Sequence, residues 1–334
     1  MLIQFGGIGD TVLITPAIKA LTKFFPQAKF TVLSARRHSC DFLLNFPNVV
    51  EVDELDIYAL DMRKLFHPCF WQNLKKGVSI FRRRQYDLIV SFRYLPLIDW
   101  LFIQWLLIFL SRSKFRVGVN PDFLPNRSVY HRWLVQGSLS GKHYIDFYLR
   151  LIQLADVQID ERTTSFPLTG AAEATAAILL NDVPNGMPIC CMHAGGYRLA
   201  LEKELWPSEN FTEIVHGVVT QGMFVVLIGA LIEKDRSGMI CSQNRNCLNL
   251  AGKTGLQEMA AIIKRADIFI GNDSGPFHIA AAVGTPAIGI FTRTVDEPEY
   301  YNYPMRNVFV FKSNYTEAPT VDGVLKKAFT ILSI

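Results

Sequence analysis

The sequence predicts an α/β protein built from two doubly wound, Rossmann-like domains, and three features support that prediction. Short apolar runs alternate with amphipathic helical patterns, as in parallel sheets that helices cover on both faces. The alternation starts again after a change of character near residues 166–168. A chain of 334 residues also has room for two hydrophobic cores. We therefore expect domains at 1–165 and 166–334 that face a central cleft, where such folds bind ligands.

The N-terminal half contains five predicted strands, each a short apolar run beside turn residues. They are Leu2–Phe5, Phe30–Leu33, Val49–Val52, Tyr86–Val90 and Phe115–Val119. After the first of them, glycines in residues 6–10 turn the chain, and a helical apolar spacing begins at Thr11. Pro16 falls in the first turns of this predicted helix, where a missing N–H is tolerated best.

The C-terminal half repeats the pattern with four predicted strands. They are Pro188–Met192, Phe224–Ile228, Asp267–Ile270 and Pro286–Phe291. Helical patterns cover Ala171–Leu180, Leu256–Lys264 and the residues from Pro276 onward. Since ligands of such folds bind beyond the carboxyl ends of the strands, we expect the functional residues in the loops that follow them.

Composition and charge narrow the class of protein. Half of the residues are hydrophobic and 19% are charged, which is typical of a globular protein. The net charge of +4 is too small to indicate nucleic acid as a partner, but it suits phosphorylated substrates. The six cysteines show no C-x-x-C spacing, and no signal-peptide pattern follows Met1. We therefore expect a cytoplasmic protein without a zinc site or a disulfide framework.

One apolar stretch, Trp100–Leu110, has Gln104 as its only polar member. It is shorter than the roughly 20 residues that a membrane-spanning helix needs. We favour a buried or interface helix. Cations at Arg112, Lys114 and Arg116 keep open the alternative of a peripheral contact with a membrane surface.

The segment Gly271–Pro286 is the strongest functional signal. It follows a predicted strand and opens a helix of small residues. Glycine allows the backbone to approach a ligand, and the N–H groups at a helix start bind anions. Asp273 or Ser274 could instead only cap the helix, but capping alone does not call for Gly275 and His278 as well. We therefore favour a ligand site.

A second segment, Gly6–Pro16, lies at the first strand-to-helix turn. It lacks the third glycine of the dinucleotide fingerprint and the G-K-[ST] ending of a P-loop, so its glycines alone are weak evidence. The segment holds one acid, Asp10, at the expected ligand edge of the sheet. Two interpretations stay open, a helix cap or a general base for a hydroxyl group.

Together, GIGDTVLITPAIKAL and GNDSGPFHIAAAVGTP resemble the two signatures of the heptosyltransferases, the ninth family of glycosyltransferases. The resemblance covers nearly the whole chain in order and spacing. It implies the GT-B architecture, with an N-terminal acceptor-binding domain and a C-terminal donor-binding domain. It also implies inverting, metal-independent transfer from a nucleotide-diphospho-sugar, typically ADP-heptose, to a saccharide or lipid-linked saccharide such as a lipopolysaccharide core. No cofactor besides this donor substrate is expected.

In the N-terminal domain, the resemblance places the family's proposed base on Asp10. We predict acceptor contacts at Gly9, Thr11 and Arg93. Cations in the loops of this domain suit a phosphorylated or acidic acceptor, and a solvated rim is an equal alternative. These residues are Arg36, Arg37, His38, Arg93 and Arg116.

In the C-terminal domain, the resemblance implies a set of donor-binding residues that lie in the loops after the strands. They are His193, Gly195 and Gly196 in a diphosphate loop, Lys203 as a diphosphate cation, Glu233 at the ribose, Lys253 and Thr254 at the base, and Asp273, Ser274, Gly275 and His278. Two residues separate Lys203 from Trp206 where one is usual, so Arg198 is an alternative cation. Residues 291–294 read FTRT where FGPT is usual, which adds Arg293 near the donor.

Neither Asp10 nor Asp273 has a second acid within two residues, so the sequence offers no D-x-D motif to hold a metal ion. We expect Lys203, the His193 loop and the helix start near Ser274 to neutralise the leaving group instead. Two other functions stay open: a sugar-nucleotide epimerase of similar fold, and a nucleotide-sugar-binding protein that has lost turnover.

Overall fold

A computed structural model of the chain describes residues 1–93, 98–124, 126, 128–135, 143–196, 205–292, 303–312 and 319–333. The chain divides into two compact units, Met1–Thr163 and Thr164–Ile334. Each unit contains one six-stranded parallel sheet with helices packed on it.

The sheet of the first unit is formed by strands that are joined by helices. The strands are β1 (Leu2–Gln4), β2 (Phe30–Ser34), β3 (Val49–Glu54), β4 (Leu88–Ser91), β5 (Phe115–Asn120) and β6 (Arg132–Val135). The helices are α1 (Ile8–Leu13), α2 (Thr15–Phe24), α3 (Pro68–Arg82), α4 (Ile98–Leu110) and α5 (Tyr144–Gln153). The spatial order of the strands is β3-β2-β1-β4-β5-β6, and every neighbouring pair is parallel.

The second unit repeats this construction. Its strands are β7 (Ile189–His193), β8 (Phe224–Leu227), β9 (Cys247–Asn249), β10 (Ile268–Asn272), β11 (Ala287–Phe291) and β12 (Val308–Lys312). Its helices are α6 (Gly170–Leu179), α7 (Ser208–Thr220), α8 (Lys234–Cys241), α9 (Leu256–Arg265), α10 (Gly275–Val283) and α11 (Val321–Leu332). The order is β12-β11-β10-β7-β8-β9, again all parallel.

Both sheets have the strand order of the Rossmann fold. When the strands of each unit are counted in chain order, each sheet reads 3-2-1-4-5-6. The order reverses between β1 and β4 in the first unit and between β7 and β10 in the second. Loops at the carboxyl ends of these two pairs diverge, and the crevice they leave is where ligands of such folds bind.

Burial explains which strands the sequence predicts and which it does not. The central strands β1, β2, β8, β10 and β11 are buried along their whole length, because helices cover both faces. Three strands, β6, β9 and β12, were not predicted. Each lies at the edge of its sheet and is only half-buried over most of its length, so its residues do not form a long apolar run.

The helix predicted from Thr11 is two helices in the structure. The first, α1, begins earlier, at Ile8, and ends at Leu13. Pro16 then lies in the first turn of α2, where proline needs no hydrogen-bond acceptor for its nitrogen. The proline therefore marks a helix start rather than a tolerated position within one helix.

Helix α4 is apolar on two sides. Leu101, Leu107 and Ile108 are buried in the first unit, whereas Phe102 and Phe109 are exposed. The prediction of a buried helix is therefore correct for one face of α4 only. Among the residues that the structure describes, no helix is long and apolar enough to cross a membrane.

One disulfide is present, although the cysteine spacing indicated none. Cys241 at the end of α8 is bonded to Cys247 at the start of β9, with their Cα atoms 5.3 Å apart. The two residues flank the short turn between a helix and the next strand, which brings them together locally. Cys40, Cys69, Cys190 and Cys191 are free thiols.

Candidate functional site

The predicted site residues follow strands at the carboxyl edges of the two sheets, at and beside the points where the strand order reverses. In the first unit, Asp10 lies in α1 after β1, and Arg93 follows β4. In the second unit, the residues lie at or after the ends of β7, β8, β9 and β10. They are His193, Gly195, Gly196, Glu233, Lys253, Thr254, Asp273, Ser274 and Gly275. Each unit therefore presents its own cluster at the edge where Rossmann folds bind ligands.

Asp10 combines a backbone contact with an ion pair across the reversal point. Its Oδ2 accepts a hydrogen bond from the backbone N–H of Gly7 at 2.9 Å, at the start of α1. Its Oδ1 accepts one from Nη1 of Arg93 at 3.0 Å. The side chains of Asp10 and Arg93 are 24% and 42% exposed. Asp10 thus stabilises the helix start and also remains accessible to a substrate.

The loop that carries Arg93 is anchored by the one polar residue of α4. Nε2 of the buried Gln104 donates to Oγ of Ser91 at 2.9 Å and to the carbonyl oxygen of Arg93 at 3.1 Å. Oγ of Ser91 also contacts that carbonyl oxygen at 3.1 Å. Gln104 therefore fixes the backbone from which the guanidinium group reaches Asp10.

The charges of this ion pair also affect the pKa of a buried phenol, Tyr148 of α5. Burial raises the pKa of Tyr148 far above its ordinary value, and the charge of Asp10 raises it further. The phenol therefore stays neutral. The sequence gives no sign of this neighbour, because Tyr148 belongs to the apolar face of an amphipathic helix.

Thr11, which we predict to contact the acceptor, has contacts inside the first unit. It is fully buried, and its hydroxyl group donates to the carbonyl oxygen of Gly7 at 2.9 Å and contacts Sγ of Cys40 at 3.5 Å. It supports the turn from the protein interior. Gly9, in the same helix, is partly exposed.

In the second unit, His193 ends β7 and is almost completely buried. Its Nδ1 lies 2.9 Å from Oγ of Ser274, and its Nε2 lies 3.2 Å from Oε2 of Glu233. The side chains of His193 and Glu233 are 4% and 6% exposed. The imidazole ring thus connects two residues that come from loops on either side of it.

Glu233 is buried, which the sequence did not predict. Its Oε2 also accepts from the backbone N–H of Ala230 at 2.7 Å. Burial alone would raise the pKa of this carboxyl group, but the hydrogen bond and charge of His193, with the N–H groups of Ala230 and Gly196, lower it below its ordinary value. The carboxylate is therefore buried and held by His193 and the N–H of Ala230.

The segment Ala194–Gly196, which we call the glycine loop, is shaped by these contacts. A Cβ atom on Gly195 would lie 1.8 Å from Oε1 of Glu233, so no side chain fits there. Nδ2 of Asn272 donates to the carbonyl oxygens of both Ala194 and Gly195 at 3.1 Å. The loop therefore has a fixed backbone path beside the start of α10.

The start of α10 has the features of an anion site. Ser274 occupies the N-cap position, but its hydroxyl group makes no capping hydrogen bond to the helix. Its Oγ instead donates to the carbonyl oxygen of Asn272 at 3.0 Å. Pro276 has no N–H, and the N–H of Phe277 donates to the carbonyl oxygen of Ser274 at 3.1 Å. Among the described residues, the N–H of Gly275 is the helix-start donor left for a ligand, and Asp273 beside it is 41% exposed.

Two further predicted residues differ in their accessibility. His278 is buried within α10, where its Nδ1 bonds Oη of Tyr303 and its Nε2 lies 3.8 Å from Oδ1 of Asp273. Tyr303 lies outside every motif and was not predicted. After β9, Lys253 is exposed, and Oγ1 of Thr254 is buried with no hydrogen-bond partner in the part of the chain that the structure describes. This hydroxyl group could bind a ligand.

The predicted diphosphate cation, Lys203, and its alternative, Arg198, lie outside the described residues, as does Arg293.

Comparison with known proteins finds one family over most of the chain. The family model described as Glycosyltransferase family 9 (heptosyltransferase) matches residues 101–324. Lipopolysaccharide heptosyltransferase 3 of Escherichia coli strain K12 is 34% identical over 328 residues, which cover 93% of this chain and 87% of that protein.

Solved structures share the fold. The family 9 glycosyltransferase from Veillonella parvula DSM 2008 matches with a TM-score of 0.78 at 16% identity, over 99% of this chain and 96% of that one. An E. coli heptosyltransferase solved with ADP-2-deoxy-2-fluoro heptose matches with a TM-score of 0.75 at 17% identity, over 100% and 99%. The predicted α/β fold class, with two Rossmann-like units as in GT-B proteins, is confirmed.

Proposed function

The chain belongs to glycosyltransferase family 9 and is a glycosyltransferase, and we propose that it transfers a heptose from ADP-heptose to a hydroxyl group of a lipopolysaccharide-core or related saccharide. The transfer inverts the anomeric configuration and needs no metal ion. One observation carries the proposal: the motif residues of both units lie at the reversal points of the sheets, with an accessible acid in one unit and an anion site in the other.

Asp10 is the general base in this proposal. As the acceptor hydroxyl attacks the anomeric carbon, the carboxylate takes its proton, and the bond to the diphosphate breaks. The contacts to Gly7 and Arg93 hold the carboxylate in one orientation, which favours proton transfer at a fixed position. Arg93 is also suited to orient a phosphorylated or acidic acceptor.

The second unit binds the donor in this proposal. The glycine loop and the uncapped start of α10 supply N–H groups to the diphosphate, with Lys203 or Arg198 as the added cation. The hydroxyl group of Thr254 and the side chain of Lys253 contact the base. An ADP-linked heptose is supported by the related structure that holds a fluorinated ADP-heptose and by the relative named as a lipopolysaccharide heptosyltransferase.

These groups neutralise the leaving diphosphate without a divalent cation. We expect turnover to persist when an excess of EDTA is added to the purified protein, because N–H donors and side-chain cations carry out this task. Loss of transfer in EDTA, with recovery on addition of Mg²⁺ or Mn²⁺, would contradict this part of the proposal.

We further propose that the protein works in the cytoplasm at the inner face of the cytoplasmic membrane, where a lipid-linked acceptor would be found. The exposed face of α4 carries Phe102, Leu106 and Phe109, at a helical spacing that places them together. Arg112 and Lys114 follow directly and are exposed. Apolar side chains beside cations are the combination that binds anionic lipid surfaces.

A nucleotide screen tests the donor assignment first. In thermal-shift measurements at equal nucleotide concentrations, ADP should raise the melting temperature more than GDP or UDP, because a ligand that binds the folded state more tightly stabilises it more. ADP-heptose with an acceptor should then give transfer. An epimerase would release a free or epimerised sugar without acceptor, and a protein without turnover would bind ADP-heptose unchanged.

A further inference from the structure

Arg236 of α8 lies outside every motif of the sequence, but its side chain contacts the glycine loop. Its Nε donates to the carbonyl oxygen of Ala194 at 2.9 Å, and its Nη2 donates to the carbonyl oxygen of Trp206 at 2.8 Å. Ala194 follows β7 directly, and Trp206 precedes α7. The guanidinium group thus connects the glycine loop to the segment that leads into the next helix.

Trp206 gives the guanidinium group a rigid attachment. Its side chain is 1% exposed and packs edge-on against Phe211, with the ring centroids 5.1 Å apart. Its Nε1 donates to the carbonyl oxygen of Pro319 at 3.0 Å. A buried ring whose one polar atom is bonded stays in place, because the core around it is close-packed. Arg236 therefore links the hydrophobic core of the second unit to the backbone of Ala194.

Asn272, at the end of β10, holds the same backbone from the neighbouring strand. Its Nδ2 donates to the carbonyl oxygens of Ala194 and Gly195, both at 3.1 Å. A carbonyl oxygen has two lone pairs, and on Ala194 these are taken by Arg236 and Asn272. Two separate elements, α8 and β10, therefore fix the orientation of the peptide group between Ala194 and Gly195.

This orientation decides where the N–H of Gly195 points. In a trans peptide group the C=O and N–H bonds point in opposite directions. Since the oxygen of Ala194 faces Arg236 and Asn272, the N–H of Gly195 faces away from both side chains. Within the described part of the chain it donates to no protein acceptor, so it is left for a ligand.

We propose that Arg236 is a positioning residue of the donor site, which holds the glycine loop so that the N–H of Gly195 is presented to the diphosphate. The proposal rests on the proposed function in taking this loop to bind the diphosphate. The planar guanidinium group suits the role, because its N–H groups reach two acceptors in fixed directions. Arg236 acts through the backbone of the loop, so its loss should affect ligands that carry a diphosphate and spare ligands that do not.

Calorimetry with three probes tests this role. We expect Arg236→Met, which keeps an apolar stem without donors, to weaken the binding of ADP and of inorganic pyrophosphate by the same factor, about tenfold, and to leave the affinity for adenosine unchanged. Arg236→Lys, which keeps one donor nitrogen, should show a smaller loss in the same pattern. Arg245→Met, the same substitution at an exposed arginine of the second unit, is the matched control and should change none of the three. Equal losses for all three probes, or no loss for any, would overturn the proposal.

Hydrogen exchange of the ligand-free protein separates a failure of this proposal from a failure of the proposed function. Mass spectrometry of peptides that cover residues 193–196 should show faster exchange in Arg236→Met than in the wild type or Arg245→Met, because a loop with fewer anchoring hydrogen bonds opens more often. Equal exchange in all three proteins would contradict the role of Arg236. If the wild type bound neither ADP nor pyrophosphate, the proposed function would fail, and the exchange rates would still decide whether Arg236 holds the loop.

Discussion

Asp10 and Glu233 make similar local contacts in the two units but differ in burial. Each follows a strand, accepts a hydrogen bond from the backbone N–H three residues earlier, and pairs with a basic side chain from a neighbouring strand end. The pair of Asp10 with Arg93 is partly exposed, whereas the pair of Glu233 with His193 is almost completely buried. The same local arrangement thus leaves the acid accessible in the first unit and holds the acid inside the protein in the second.

The difference has an energetic basis. A partly exposed ion pair adds little to stability, because water solvates both charges well when they separate. A buried pair has lost that solvation, so removing one partner leaves an uncompensated charge in the interior. Asp10 can therefore exchange its partners during a reaction at low cost, and Glu233 is fixed in place.

The largest expected effect is on catalysis by Asp10. We predict that Asp10→Asn lowers kcat by roughly 10²–10⁴-fold, the usual cost of removing a general base, with ADP affinity unchanged because the donor is bound in the other unit. Steady-state kinetics at saturating substrates and ADP calorimetry measure the two quantities. Glu54→Gln, an exposed acid of the same unit, is the control. Near wild-type turnover in Asp10→Asn would show that the base is another group.

The next effect concerns the free energy of unfolding. Here a substitution of Glu233 should have a larger effect than a substitution of Asp10. Glu233→Ala should lower the free energy of unfolding by about 2–3 kcal/mol, because it leaves Nε2 of the buried His193 without its acceptor. Asp10→Ala should lower it by only about 1 kcal/mol, through loss of its helix-start contact and an exposed pair. Urea denaturation of both variants provides the comparison, and equal losses would contradict the role of burial.

The pH dependence of stability follows from the lowered pKa of Glu233. A carboxyl group with a folded pKa below its unfolded value of about 4.3 adds stability above that value, and the gain is lost as the pH falls through the folded pKa. The stability difference between wild type and Glu233→Gln should therefore be full at neutral pH and shrink below about pH 4. Urea titrations at several pH values measure it, and a difference that grew in acid would have the wrong sign.

The sequence predicts those features of the two sites that arise from neighbouring residues, but not those that depend on contacts between residues distant in the chain. Apolar runs predict the buried central strands, and the turns that follow them place Asp10 and Ser274 at ligand-binding edges. The burial of Glu233 does not follow from its neighbours in the sequence, which look like a helix surface. The structure reverses the pattern there, since Leu231 and Ile232 are exposed and the acid is buried. Its partner, His193, is 40 residues away in the chain.

The supporting contacts of the first unit were not predicted for the same reason. Gln104 stands out in the sequence as the one polar residue of an apolar helix, but its partners on the loop after β4 follow only from the packing of α4. Tyr148 and Tyr303 lie in no motif, and their neighbours are brought to them by the sheet order. Local patterns therefore locate the sites, and tertiary packing decides which side chains are accessible.

A smaller effect is expected at the exposed apolar face of α4. Phe102→Ser and Phe109→Ser should each weaken binding to vesicles that contain phosphatidylglycerol by about tenfold, because each removes an exposed aromatic ring that would enter the lipid interface. Ile178→Ser, an exposed apolar residue of α6 in the second unit, is the matched control. Cosedimentation provides the measurement. Equal binding by all three variants and the wild type would exclude this face as the contact.

In the proposed reaction, a single displacement joins the sugar of ADP-heptose to an acceptor hydroxyl group. The most direct measurement is to incubate the purified protein with ADP-heptose and a deacylated lipopolysaccharide core, and to determine the anomeric configuration of the product by NMR. One ADP should be released for each sugar transferred, and the product should have the inverted anomeric configuration. A product of retained configuration, or free heptose without a glycoside, would contradict it.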